Sequence, residues 1–187
     1  MKLYEGSYSQ ANQESFVLNA LKEKRNGFYL EIGGYHSKYD SNTYLLEKEY
    51  DWSGVALEID KERSEEYNQN RVNKCLNVDA ITFNYLEYFE NNNFPKTIDY
   101  LQIDIEPANQ TLAALKALPL DKYRFSIVTF EHDLYADPNN ILVKQEAFNI
   151  FNKYNYKLIF ENVEHEGKVF EDWWADSNIE LDWIKNA

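Results

Sequence analysis

Between Phe28 and Asp60 the chain passes through a short apolar segment carrying Glu31, adjacent glycines at Gly33 and Gly34, a periodic stretch over Asn42–Lys48, and a second apolar run, Gly54–Ile59, carrying Glu58. Short apolar runs bounded by glycine read as buried strands and the periodic stretch between them as a helix, so this segment predicts a βαβ unit. That unit constrains the rest of the chain. Parallel strands joined by a helical crossover need cover on both faces of the sheet, which selects an α/β architecture.

The same segment restricts the ligand. An acid closing the second strand can accept both hydroxyls of a ribose, and a glycine turn lets the backbone approach a ligand with no Cβ in the way. An adenosine derivative is therefore expected. A pyrophosphate would call for G-x-G-x-x-G, but the positions where that fingerprint wants glycine hold Tyr35 and Lys38, and no G-x-x-x-x-G-K-[ST] occurs. Glu31 would repel phosphate, whereas it suits the ammonium and sulfonium of S-adenosylmethionine.

Strand and helix signals continue to alternate. A first helix is expected from about residue 10 to 24, making residues 1–26 a helical segment packed on the sheet. After Phe28–Ile32, Asn42–Lys48 and Gly54–Ile59 come a charged helix Lys61–Asn70, a weak strand Cys75–Val78, a strand Ile98–Ile105 and a helix Thr111–Leu118 stopped by Pro119. Phe125–Phe130 reads as a fifth strand, Ile141–Tyr154 as a helix, and Tyr156–Phe160 and Val169–Trp173 as strands that finish the sheet. No linker or repeat interrupts 1–187, so one domain is expected, a mostly parallel sheet with helices on both faces. In such sheets ligands sit at the carboxyl ends of the strands, which predicts that Glu31, Glu58, Asp79, Asp104 and Glu131 to Asp133 share one rim.

With 32 acidic and 19 basic residues, a formal charge of −13 and no block of lysine or arginine, the chain lacks the clustered cations that nucleic acid or an anionic membrane requires. The single cysteine, Cys75, forms no internal disulfide, and no 18-residue apolar stretch predicts membrane insertion. A polar N-terminus without a secretory pattern leads to a cytoplasmic expectation. Oligomeric state leaves no signal.

Leu30 to Gly33, Ser41 to Glu47 and Gly54 to Glu58, with Tyr8 to Gln10 and Gln13 to Phe16 upstream and Asp99 to Glu106 downstream, resemble the FkbM-type S-adenosylmethionine-dependent methyltransferases over roughly the first two thirds of the chain. The resemblance implies a Rossmann-like methyltransferase fold, methyl transfer to oxygen and often a sugar acceptor. Ser37 departs from the family's usual glycine, and Pro107 and Asn109 from a glycine and an acid, so the cofactor side matches more fully than the acceptor side.

On this reading the cofactor-side residues are Gln10, Glu31, Gly33, Tyr35, Asn42, Glu58, Ile59, Asp79, Ala80 and Asp104. Glu31 lies near the methionine end, Glu58 on the ribose, and Asp79 with small Ala80 at the adenine amino group. Each has a structural alternative: Asp79 can cap a helix starting near Thr82, Ser9 and Gln10 can cap the first helix, and Ser41 can cap the next while Asn42 points into the cleft. Asp104 and Glu106 lie a strand period apart, so both carboxylates face the same way. They can position an acceptor hydroxyl. Asp104, Glu131 and His132 can hold a divalent cation such as Mg2+. An alcohol is a weak nucleophile at neutral pH, which makes His132 the expected base, with Asp104 and Glu106 as catalytic partners. Trp173, Trp174 and Trp183 form either an acceptor lip or a buried C-terminal strand.

The expected activity is O-methyl transfer to a small-molecule or glycan acceptor. Two alternatives share the fold: a protein that binds S-adenosylmethionine or its demethylated product without turnover, and a nucleotide-linked oxidoreductase, which the glycine spacing disfavours.

Overall fold

A computed structural model describes residues 1–181. In chain order the elements are α1 (Gln13–Ala20), β1 (Phe28–Ile32), α2 (Tyr44–Tyr50), β2 (Ser53–Glu58), α3 (Lys61–Asn70), β3 (Lys74–Asn77), α4 (Tyr85–Asn91), β4 (Thr97–Ile103), α5 (Ala108–Ala117), β5 (Arg124–Glu131), α6 (Ile141–Lys153), β6 (Tyr156–His165) and β7 (Lys168–Asp176). The strands form one sheet in the order β3-β2-β1-β4-β5-β7-β6. Pairing is parallel from β3 through β5, and β7 runs antiparallel to both β5 and β6. The fold is the Rossmann-like α/β architecture that the strand and helix alternation predicts.

Near-continuous burial of β1, β4 and β5 follows from their central place, with cover on both faces. On one face Leu30, Ile32, Leu101 and Val128 pack against Phe89 of α4, Leu112 and Leu115 of α5, and Ala147 and Phe151 of α6. On the other, Tyr29, Tyr100, Ile127 and Trp173 meet Phe16, Val17 and Leu18 of α1 and Leu45 and Leu46 of α2. Tyr67 of α3 covers Ala56 and Cys75 toward the β3 edge. Both Trp173 and Trp174 are core residues, which selects the buried-strand alternative for them; Trp183 lies outside the described residues.

The differences from the expected boundaries have local causes. The first helix is shorter than 10–24 because Asn12 enters it, and Lys22 and Glu23 leave it, with positive φ. The final two strands are longer than expected. They form a hairpin whose turn residues, Glu166 and Gly167, both have positive φ, the geometry that matches the right-handed twist of the flanking strands. Among the described residues no helix is long and apolar enough to cross a membrane.

Candidate active site

The carboxyl ends of β1, β2, β4 and β5 open into a cavity of about 510 Å³, within the range of small-molecule sites. At its centre the turn after β1 is held by the Gly33 and Gly34 amides, which both donate to the Leu57 carbonyl at 2.9 and 3.1 Å. Gly33 has φ +94°, and a Cβ there would come within 1.7 Å of the Asp104 carbonyl oxygen. The glycine thus lets the turn after β1 and the tip of β4 lie against each other, and it keeps the cavity floor made of backbone.

Every cofactor-side residue expected from sequence lines this cavity: Gln10, Glu31, Gly33, Tyr35, Asn42, Glu58, Ile59, Asp79, Ala80 and Asp104. Glu106 and Glu131 line it as well. The shared rim has a simple origin. Parallel strands in register bring their ends level, with Glu31 opposite Gln102 and Gln102 opposite Thr129.

The structural alternatives resolve residue by residue. Asn12, rather than Ser9 or Gln10, occupies the cap position of α1, and it makes no side-chain cap bond. Thr43 occupies the cap position of α2, leaving Asn42 outside the helix with its Oδ1 buried and without a partner among the described residues. Asp79 caps no helix: it accepts from the Ile81 amide at 2.8 Å and the Thr82 hydroxyl at 3.2 Å, while Asn84 caps α4. Glu58 accepts from the Asp60 amide at 2.7 Å through one oxygen.

Glu31 sits on a buried polar scaffold. Thr43 Oγ1 and Tyr67 OH donate to its Oε2 at 2.8 and 3.0 Å. Behind them Arg71 donates to Glu47 Oε2 at 2.9 Å, Thr43 Oγ1 at 3.0 Å, the Ser37 carbonyl at 3.0 Å, Ser41 Oγ at 3.2 Å and Tyr29 OH at 3.2 Å. One guanidinium therefore ties the 37–43 loop to the sheet. Burial raises the pKa of Glu31, opposed by Arg71 and by the Thr43 and Tyr67 hydrogen bonds. Ser37, at a departure from the family pattern, donates to Glu66 at 2.6 Å, and Arg63 lies 4.3 Å over the Tyr35 ring. Pro107 precedes α5 as its cap residue, and Asn109 is exposed in the first turn of that helix.

Asp104 faces the cavity between β1 and β5. Burial, then the nearby charges of Asp133, Glu106, Glu31 and Glu58, push its pKa up to about 7. A carboxyl poised there is half ionised near neutrality and can take a proton.

His132 is not brought to this rim. It is fully buried behind β5, its Nδ1 accepts from the Leu134 amide at 3.3 Å, and its Nε2 lies 3.4 Å from Asp172 Oδ1. The cause is strand alternation: Glu131 takes the cavity side, and the next residue turns inward toward β7. This corrects the placement of His132 as a base beside the acceptor and as a metal ligand with Asp104 and Glu131. Asp133 is likewise absent from the cavity lining. Among the described residues no group of three or more His, Cys, Asp or Glu side chains is arranged to hold a metal ion.

Sequence reading passed over several residues of the site. Gln102, His36, Asp40, Gln110 and Tyr135 also line the cavity. Gln102 stands one strand period before Asp104 and so had a usable signal. Of the scaffold residues, Glu47 lay in the string that carries the family resemblance but had no role read for it, and Tyr67 and Arg71 had no signal, lying within and at the end of a charged helical segment.

The chain matches the family described as the methyltransferase FkbM domain over residues 11–158. Similar solved structures share the fold. The O-methyltransferase from Bacillus cereus in complex with SAH aligns with TM-score 0.62 and 15% identity over 93% of this chain and 84% of that one. A human methyltransferase 10 domain containing protein aligns with TM-score 0.58 and 13% identity over 91% and 82%. The N-methyltransferase NodS from Bradyrhizobium japonicum in complex with S-adenosyl-L-homocysteine aligns with TM-score 0.53 and 10% identity over 88% and 85%. No curated protein sequence matches the chain.

Proposed function

The chain belongs to the FkbM methyltransferase family, and from that premise we propose that its cleft binds S-adenosylmethionine and methylates a hydroxyl of a sugar or glycan-type acceptor. The observation that carries the cofactor assignment is an unsatisfied acceptor beside a buried acid. Asn42, only 4% exposed, lines the cavity with Oδ1 unpartnered, next in sequence to the Thr43 that orients Glu31. Among the described residues neither lysine nor arginine joins the lining. An amide oxygen and a carboxylate fit a ligand that brings N–H donors and positive charge, as the methionine end of S-adenosylmethionine does.

Glu58 would hold the ribose hydroxyls through its free lone pairs, and Asp79 with Ala80 would border the adenine. Gln10, Tyr35 and Ile59 would close the sides. When bound, S-adenosylmethionine supplies an activated methyl group whose breaking bond leaves its electron pair on sulfur. The protein's own residues do the rest. Glu31, locked by Thr43 and Tyr67, fixes the orientation of the cationic end, and alignment of this kind can contribute about 7–11 kcal/mol to a bimolecular step. Asp104 receives the hydroxyl proton of the acceptor, and Glu106 orients that hydroxyl. His132 supports the β5 tip from behind.

The test combines calorimetry with S-adenosylmethionine and turnover on a panel of hydroxyl-bearing glycans. Binding together with methyl transfer to oxygen is expected. Absence of binding removes the cofactor assignment, and transfer to nitrogen or carbon alone removes the acceptor assignment.

A further inference from the structure

The cleft has an unbalanced charge, and the imbalance narrows the acceptor if the S-adenosylmethionine reading above holds. Among the described residues its lining includes seven carboxylates, one histidine and no lysine or arginine. Three cations on segments beside the cavity each contact other groups. Lys38 lies 4.6 Å over the Tyr8 ring, Arg63 lies on Tyr35, and Arg71 pairs with Glu47. Glu31, Glu58 and Asp79 have work on the adenosyl side. Asp40 is exposed on the 37–43 loop, and the remaining three, Asp104, Glu106 and Glu131, cluster at the tips of β4 and β5.

Asp104 senses several neighbouring acids, Glu106 among them. Asp133, Glu106 and Glu31 add to burial in raising the Asp104 carboxyl. A second, independent sign comes from Gln102. It is 3% exposed, lines the cavity between Glu31 and Thr129 in the sheet register, and its Oε1 has no hydrogen-bond partner among the described residues. A buried acceptor left unsatisfied carries a free-energy penalty that a donor from a ligand removes. Tyr135 stands exposed at the same end of the cavity, offering a flat apolar face with a polar tip.

We propose that the methyl acceptor is an amine-bearing hydroxyl compound, an amino sugar or amino alcohol. Its protonated nitrogen sits among Glu106, Glu131 and Gln102 Oε1, with the neighbouring hydroxyl toward Asp104. The carboxylates that attract this nitrogen repel phosphorylated, sulfated and nucleotide-linked sugars, so one charge pattern both selects and rejects. An N-acetylated sugar, neutral and bulkier, is a poorer fit than the free amine.

The experiment uses matched hexose derivatives that differ in one group: the 2-amine, the 2-N-acetyl amide, the 2-hydroxyl and the 6-phosphate. Binding to protein saturated with S-adenosylhomocysteine is measured by calorimetry at about pH 7, where an aliphatic amine is protonated, and turnover is measured in parallel. The amine is expected to exceed the amide and the hydroxyl by at least about tenfold in affinity or kcat/KM, with the phosphate weakest. Glu106 is exposed, so Glu106→Gln keeps the fold, and it should bring amine and hydroxyl to within about threefold of each other. Equal or better performance by the phosphate or the amide overturns the proposal. So does a Glu106→Gln variant that keeps the full amine preference. Failure of the S-adenosylhomocysteine loading step itself is a different result: it takes down the cofactor reading, and this inference with it.

Discussion

Replacing Arg71 with methionine probes whether the buried scaffold behind Glu31 holds the site together. The Arg71 side chain is completely buried and that of its partner Glu47 nearly so. Removing one member of a buried ion pair costs about 3–5 kcal/mol, chiefly because the other charge is left without its counterion. Glu47 would still accept from the Val72 amide at 2.9 Å, Asn73 Nδ2 at 2.9 Å and Tyr29 OH at 3.3 Å. Those three donors place the loss near the lower end, about 3 kcal/mol. For a chain of this length each kcal/mol moves the thermal midpoint by about 2–4 °C, so a fall of about 6–12 °C is expected in a melting experiment. The effect should also reach the ligand. Ser37 and Ser41 lose their anchors, the 37–43 loop loosens, and affinity for S-adenosylmethionine drops. Adding Glu47→Met to Arg71→Met removes the stranded charge and should restore part of the stability, as a double-mutant cycle would record. A single variant melting within about 2 °C of the parent refutes the reasoning. A double variant no more stable than the single one does so equally.

Three further outcomes are expected. Glu58→Ala should keep the fold and weaken S-adenosylmethionine binding by roughly 100-fold, the worth of two hydrogen bonds to a carboxylate; parental affinity in calorimetry removes Glu58 from the ribose. Asp104→Asn should lower turnover by roughly 10²–10⁴, and the parent's kcat/KM should rise with pH through about 7 as this carboxyl ionises; a flat profile or an active variant assigns the proton elsewhere. Finally, burial raises Asp104 and Glu14 to about 7 and Glu171 to about 8, each above the ordinary carboxyl value. The folded state then binds more protons than the unfolded one between those values, so stability is greatest on the acid side and is lost as pH rises. The ligand-free protein should melt higher near pH 5 than near pH 8, and the reverse order contradicts these protonation states.

How much could be read in advance differs from residue to residue. Gly33 announced itself, because only glycine meets both its positive φ and its closeness to the Asp104 backbone. Glu31 and Glu58 were legible because a short apolar run fixes where a strand stops, and parallel register then aligns the stops. His132 misled. Adjacent residues at a strand end point to opposite sides, and the sequence alone does not settle which of Glu131 and His132 faces the cavity. Arg71 was illegible, for it closes a helix whose other charges are solvated, and its burial depends on Glu47 and Ser41, which lie 24 and 30 residues away.

Local chemistry within single segments thus determined the α/β class, the strand ends, the glycine turn and the negative character of the cleft, since each follows from residues a few positions apart. Only the tertiary structure decided which acids share the cavity and which turn inward. It alone assembled the Arg71 scaffold and left Asn42 and Gln102 without donors. The physical reason is that burial and hydrogen-bond satisfaction belong to groups brought together from distant segments, and in this chain those segments meet only once β1 lies between β2 and β4.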